Sequence, residues 1–247
     1  MHSNKQTGTI DVWVFRHAQL TIPTLHMREV LSPAERERAE KIRHSDLRLS
    51  YLQAKFAFRT ILASHLHVPL RDLQMTVSRF GKPLLPAHNV EVSQSHSHDW
   101  SAVAVSATGF VGIDIERWRP LANCPQLACH IMTDQEAMTF EAIPSELTAR
   151  KFLELWTRKE AVLKCAGLGL RQDPRGLHTG WDEPAVQFGD VRYYLSALPV
   201  CGHLVGHLAS HAPQKIIMRS LPSQLDAWPK CRAASAPMSS GPMSGSS

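Results

Sequence analysis

Short stretches with a two-residue hydrophobic period surround long stretches of helical period, and the arrangement occurs twice along the 247 residues. A period of two marks a strand with one buried face; recurrence at three and four residues marks a helix with one buried stripe. In the first half, Thr9 to Arg16 alternates with Ile10, Val12 and Val14 on one side, and a loop follows. Leu31-Ser32-Pro33-Ala34-Glu35 opens a helix: Ser32 can cap it, Pro33 suits its first position, and Glu35 closes a capping box. A longer helix over about 46–65 carries Leu52, Phe56, Ile61 and Leu62 on its apolar side. Residues 73–78 read as a strand, Phe80-Gly81-Lys82-Pro83 as a turn, and 90–95, 101–107 and 110–116 as three further strands. In the second half, 133–141 and 145–166 read as helices, the first opened by another capping box from Thr133 to Glu136. Residues 186–188, 191–197, 202–207 and 215–220 complete it as strands. Strands flanking one or two helices in each half predict an α+β fold with two lobes, over 9–108 and 109–229. A flexible N-terminus is expected over 1–8. A disordered tail is expected over 230–247, because from residue 233 onward ten of fifteen positions are Ser, Gly or Pro.

Apolar residues make up 43% of the chain and charged residues 20%, which excludes disordered, collagen-like and disulfide-knot classes. The longest apolar-looking region, Val191 to Ala209, is interrupted by Arg192, Ser196, Pro199, His203 and His207 and falls short of a membrane span. MHSNKQTGTI is too polar for the apolar part of a secretory signal, so a cytoplasmic protein with no membrane partner is expected. Five cysteines with no C-x-x-C spacing signal neither a disulfide framework nor a zinc knuckle. The net charge of +5 is lopsided: through residue 108 there are 13 basic against 9 acidic side chains. That surplus suits an acidic or phosphorylated partner and lacks the basic blocks of a nucleic-acid binder.

Chemistry concentrates in two segments. In Val111-Gly112-Ile113-Asp114-Ile115-Glu116, a strand puts Ile113 and Ile115 in the core and projects Asp114 and Glu116 side by side on the other face. Neighbouring carboxylates repel unless a cation lies between them, although a solvated strand face fits this segment equally well. In the helix, Trp156, Glu160 and Lys164 follow one another at four-residue steps along one stripe. Read structurally, they form a packing contact and a surface ion pair. Read functionally, Glu160 is a third oxygen donor for a hard cation such as Mg²⁺, and Lys164 faces the phosphates that such an ion binds. Ser95-His96-Ser97-His98 offers two histidines at strand spacing, but zinc is not the favoured reading.

Taken in order, LSPAERER, FGKP, SHSHDW, VGIDIE, the TDQE helix start and LWTRKEAVLK followed by AGLGL resemble the Sfp-type 4′-phosphopantetheinyl transferases over about Leu31 to Leu170. The resemblance implies two similar lobes forming a pseudo-dimer, with coenzyme A and the active site in the cleft between them. It implies transfer of the phosphopantetheine arm of coenzyme A to a serine of an acidic acyl or peptidyl carrier protein, releasing adenosine 3′,5′-bisphosphate, by a monomer. Carried over by motif, Asp114, Glu116 and Glu160 are the Mg²⁺ ligands, with Mn²⁺ as an alternative ion. Glu160 is also the base and Lys164 the neutraliser of pyrophosphate charge. Ser95 and His96 match the contact to the nucleotide 3′-phosphate, Lys82 and Arg38 match further phosphate contacts, and Lys159 is a weaker coenzyme candidate. Ser93-Gln94 stands where the family has Asn two residues before SHS, and His130 where an Arg is common. A basic contact expected from the second helix falls to Arg48, because Ser50 holds the more natural position. The same carboxylates also fit another metal-dependent phosphoryl transferase or hydrolase, and a non-catalytic carrier-protein or nucleotide-binding module is the rival from outside enzymology.

Overall fold

A computed structural model describes residues 8–20, 22–169 and 172–226. The expected tail over 230–247, and all but the last residue of the expected flexible N-terminus, lie outside them. Strand β1 (Thr9–Arg16) is followed by α1 (Thr24–Val30), α2 (Pro33–Lys41) and α3 (Ser45–His65). The short strands β2 (Thr76–Val77) and β3 (Pro83–Leu84) precede β4 (Glu91–Ser97), β5 (Trp100–Ser106) and β6 (Val111–Arg117). Then come α4 (Cys124–Ala128), α5 (Asp134–Glu141) and α6 (Ser145–Cys165). Strands β7 (Ala185–Phe188), β8 (Val191–Ala197), β9 (Leu204–Ser210) and β10 (Lys215–Met218) and a final turn of helix, α7 (Ser223–Asp226), close the described chain. The fold is α+β, as expected.

One four-stranded sheet has the order β10-β1-β5-β4 and a second the order β6-β9-β8-β7. Strand β10 is last in sequence yet pairs in parallel with β1, through Thr9 opposite Lys215 to Val12 opposite Met218. The two-residue period decides what each face meets. On β1, Trp13 and Phe15 turn to one side and pack with Leu52, Phe56, Phe58 and Ile61 of α3 and with Met27 of α1. Ile10 and Val12 turn the other way, with Ala102 and Ala104 of β5, and meet Val111, Ile113 and Ile115 of β6. The opposite face of the second sheet, through Tyr193, Leu195, Val205 and Ala209, is covered by α6. The layers therefore run helix, sheet, sheet, helix, with β6 lying against β4 and β5.

Local chemistry sets the boundaries. Both capping boxes form: Ser32 and Glu35 exchange side chain and backbone bonds at the start of α2, and Thr133 and Glu136 do so at α5. Ser78 and Lys82 close the turn between β2 and β3, where Gly81 takes a φ of 85° that favours glycine. The strand expected over 73–78 shrinks to Thr76–Val77, because Leu73 instead ends a 3-10 turn over Leu70–Asp72. Helix α1 lies where a loop was expected; its single buried residue, Met27, leaves no periodic signal to read. The expected strand at 202–207 runs from Leu204 to Ser210. Among the described residues no helix is long and apolar enough to cross a membrane.

Candidate active site

Strand β6 and helix α6 lie flush because Gly112 has no side chain. A Cβ there would overlap the carbonyl oxygen of Ala161 and the amide nitrogen of Cys165. Gly112, Asp114 and Glu116 share the face of β6 turned to α6, and Glu160 and Lys164 lie on the part of α6 that meets it. The strand and the helix stripe read from sequence thus come together.

Asp114 is buried. Its Oδ1 accepts from Lys164 Nζ at 2.6 Å and from Ser95 Oγ at 2.7 Å, and its Oδ2 has no hydrogen-bond partner. Lys164 Nζ also donates to the Ile113 carbonyl at 3.2 Å. Glu116 Oε2 accepts from Ser97 Oγ at 2.6 Å and from Arg119 Nη1 at 3.4 Å. Glu160 is buried with its Oε1 unpaired. Burial pushes its pKa up to about 7; the Lys164 ammonium opposes the rise, and the charges of Asp114 and Glu116 add to it.

These oxygens fit a hard divalent ion by chemistry. Asp114 and Glu160 face the Lys164 ammonium and Glu116 the Arg119 guanidinium, and two buried carboxylate oxygens, Asp114 Oδ2 and Glu160 Oε1, have unused lone pairs. No group of three metal-ligating side chains is drawn together among the described residues.

The expected coenzyme contacts are distributed less uniformly. His96 reaches the surface from β4; desolvation of its ring, then the charges of Lys164 and Lys55, hold its pKa below the ordinary imidazole value. Arg38 is exposed, 5.7 Å from the centre of the Tyr51 ring. The basic residue of α3 that shares this electrostatic neighbourhood is Lys55, which sequence reasoning missed. Arg48 instead donates to the Arg43 carbonyl at 3.4 Å. Lys82 is paired with Glu91 at 2.7 Å and lies over the Phe110 ring. Ser95 turns its hydroxyl toward β6 rather than to the surface. Lys159 does not join the group at all. It is fully buried, its ammonium 2.7 Å from Glu136 Oε2 and hydrogen-bonded to the carbonyls of Pro174 and Leu177.

The model of the 4′-phosphopantetheinyl transferase superfamily matches residues 110–211, which carry β6, α6 and all four of Asp114, Glu116, Glu160 and Lys164. The chain is 30% identical over 144 residues to the 4′-phosphopantetheinyl transferase HetI of Nostoc sp., covering 57% of this chain and 61% of that one. It is 25% identical over 141 residues to the 4′-phosphopantetheinyl transferase Sfp of Bacillus subtilis, covering 57% and 62%. It is 36% identical over 107 residues to the 4′-phosphopantetheinyl transferase AcpT of Escherichia coli, covering 43% and 54%. The chain therefore spans only a little over half the length of the relatives it matches.

Proposed function

We propose, from the match of residues 110–211 to the 4′-phosphopantetheinyl transferase superfamily, that this chain transfers the phosphopantetheine arm of coenzyme A to a serine of an acyl or peptidyl carrier protein. The serine oxygen forms a new bond to the phosphorus that bears the pantetheine. The bond from that phosphorus to the bridging pyrophosphate oxygen breaks, and adenosine 3′,5′-bisphosphate leaves with the electron pair.

The observation that carries the reading is the meeting of Asp114 with Lys164 beside Glu160, whose buried carboxylate has an unpaired oxygen and a pKa pushed up to about 7. Phosphoryl-type transfer needs positioning and charge neutralisation more than covalent help, and both carboxylates and an ammonium are in place for it. Glu160 takes the serine proton as general base. Lys164 places positive charge where the pyrophosphate bond breaks. Asp114, Glu116 and Glu160 would hold Mg²⁺, or Mn²⁺, which accepts the same oxygen donors. That ion supplies further neutralisation of phosphate charge when bound.

His96, Arg38 and Lys82 bind the coenzyme phosphates, with Lys55 added to them by its place beside His96. The coenzyme lies between two similar halves of a monomeric pseudo-dimer, and the basic surplus of residues 1–108 receives both the polyanionic coenzyme and an acidic carrier. The test is to quantify adenosine 3′,5′-bisphosphate after incubation with coenzyme A and Mg²⁺, with and without a panel of apo carrier proteins. Release that requires a carrier supports the proposal. Release without a carrier indicates hydrolysis, and no release with any carrier contradicts the transferase reading.

A further inference from the structure

Strands β4 and β6 are edge strands of different sheets, and edge strands expose unpaired backbone groups. Here the outward N–H groups of β6 are satisfied by side chains. Ile113 N–H donates to Ser93 Oγ at 3.1 Å, Ile115 N–H to Ser95 Oγ at 3.2 Å, and Arg117 N–H to Ser97 Oγ at 3.0 Å. All three serines are buried, at alternate positions of one strand, and together they form a ladder joining the two sheets.

Two of the three rungs also bind a carboxylate. Each hydroxyl has one proton to give. Ser95 gives it to Asp114 at 2.7 Å and Ser97 gives it to Glu116 at 2.6 Å, the residues immediately before the amides they accept from. Opposite Ser93 the corresponding residue is Gly112, which offers no side chain. The ladder thus contains its own control: every rung staples β6 to β4, and only the second and third fix the direction of an acidic group.

We propose that Ser95 and Ser97 are positioning residues that aim Asp114 and Glu116 from the neighbouring sheet. The hydroxyls couple the spacing of the sheets to the direction of the carboxylates, so a displacement of β4 along β6 turns both acids at once. Ser95 serves the site from behind Asp114 rather than by touching the nucleotide. The consequence for turnover rests on the transferase reading; the hydrogen-bond coupling does not.

The test compares Ser93→Ala, Ser95→Ala and Ser97→Ala in the full chain. In metal-free denaturant unfolding, Ser95→Ala combined with Asp114→Asn should show a coupling of about tenfold in the unfolding constant, the scale of a buried hydrogen bond to a charged group. Ser93→Ala with Asp114→Asn should show none. Ser97→Ala with Glu116→Gln provides the second cycle should Ser95→Ala fail to fold. In the transfer assay, Ser95→Ala should lower kcat at unchanged KM for coenzyme A, and Ser95→Thr, which keeps the hydroxyl, should recover most of it. Equal coupling of Asp114 to Ser93 and Ser95, or a raised KM with kcat unchanged, overturns the proposal. Because the unfolding cycles use no substrate, a chain that modifies no carrier but keeps the coupling would fail the transferase reading alone.

Discussion

Lys164 Nζ lies 2.6 Å from Asp114 Oδ1, tying the last turn of α6 to the middle of β6 across 50 residues of sequence. The lysine side chain is 25% exposed and the aspartate 7%, so the pair is shielded from most solvent screening. Removing the ammonium leaves a buried carboxylate with Ser95 as its remaining partner. Lys164→Ala is expected to cost about 1–3 kcal/mol of stability, the range for a lost partner of a buried charged group. It should also lower transfer at least about a hundredfold, the scale of one missing charge stabiliser at a phosphoryl centre. Denaturant unfolding and single-turnover rates measure the two effects separately.

Glu160 gives a prediction whose size changes with pH. Its pKa is raised from 4.5 to about 7 by burial. Below pH 4.5 the carboxyl is neutral in both folded and unfolded chains and costs nothing. Between pH 4.5 and 7 the unfolded chain releases the proton more readily, so this residue's contribution to stability falls as pH rises. Glu160→Gln should therefore gain thermal stability over the wild type progressively between pH 5 and pH 7 in metal-free buffer. A difference in Tm that is flat with pH would show that Glu160 ionises normally.

Lys159 and Glu136 form a fully buried pair whose second carboxylate oxygen accepts from the Thr179 and Gly180 amides. Breaking one side strands a charge in the core. Lys159→Met is expected to cost roughly 3–5 kcal/mol. At a temperature where the variant remains folded, KM for coenzyme A should match the wild type. A selective rise in KM would restore Lys159 to the coenzyme site.

Two buried histidines set the acid limit. His17, bonded to Ser50 and Ser101, has its pKa lowered to about 4 by burial, and His207, bonded to Thr157, to about 3. Their unfolded value is 6.5, so between about pH 4 and 6.5 the unfolded chain binds more protons and stability falls on acidification. His17→Gln should flatten that decline in a pH series of unfolding midpoints. An unchanged slope would assign the decline to other groups.

The legibility of this molecule in its sequence follows the range of the interactions. Asp114 and Glu116 on one strand face, and Glu160 with Lys164 on one helix stripe, are fixed by local periodicity, so both were readable before their contact was known. The capping boxes at Ser32 and Thr133 are local as well, and both form. The serine ladder was not readable in the same way. Ser93, Ser95 and Ser97 look like a polar outer face, and only the neighbouring sheet turns that face inward. An uncharged Ser-x-Ser-x-Ser run on a strand was the available signal. Lys159 misled because its chain neighbour is Glu160, whereas successive residues on a helix point about 100° apart. The partner of β10 was hidden because its pairing with β1 spans nearly the whole described chain.

The most direct measurement is the intact mass of an apo carrier protein after incubation with coenzyme A and Mg²⁺, run with the wild type and with Glu160→Gln. The wild type should add about 340 Da, the phosphopantetheine arm whose transfer this phosphoryl chemistry predicts, to the carrier serine. Glu160→Gln should add none while still binding coenzyme A by calorimetry. An unmodified carrier with the wild type across the panel, or full modification by Glu160→Gln, would contradict the account.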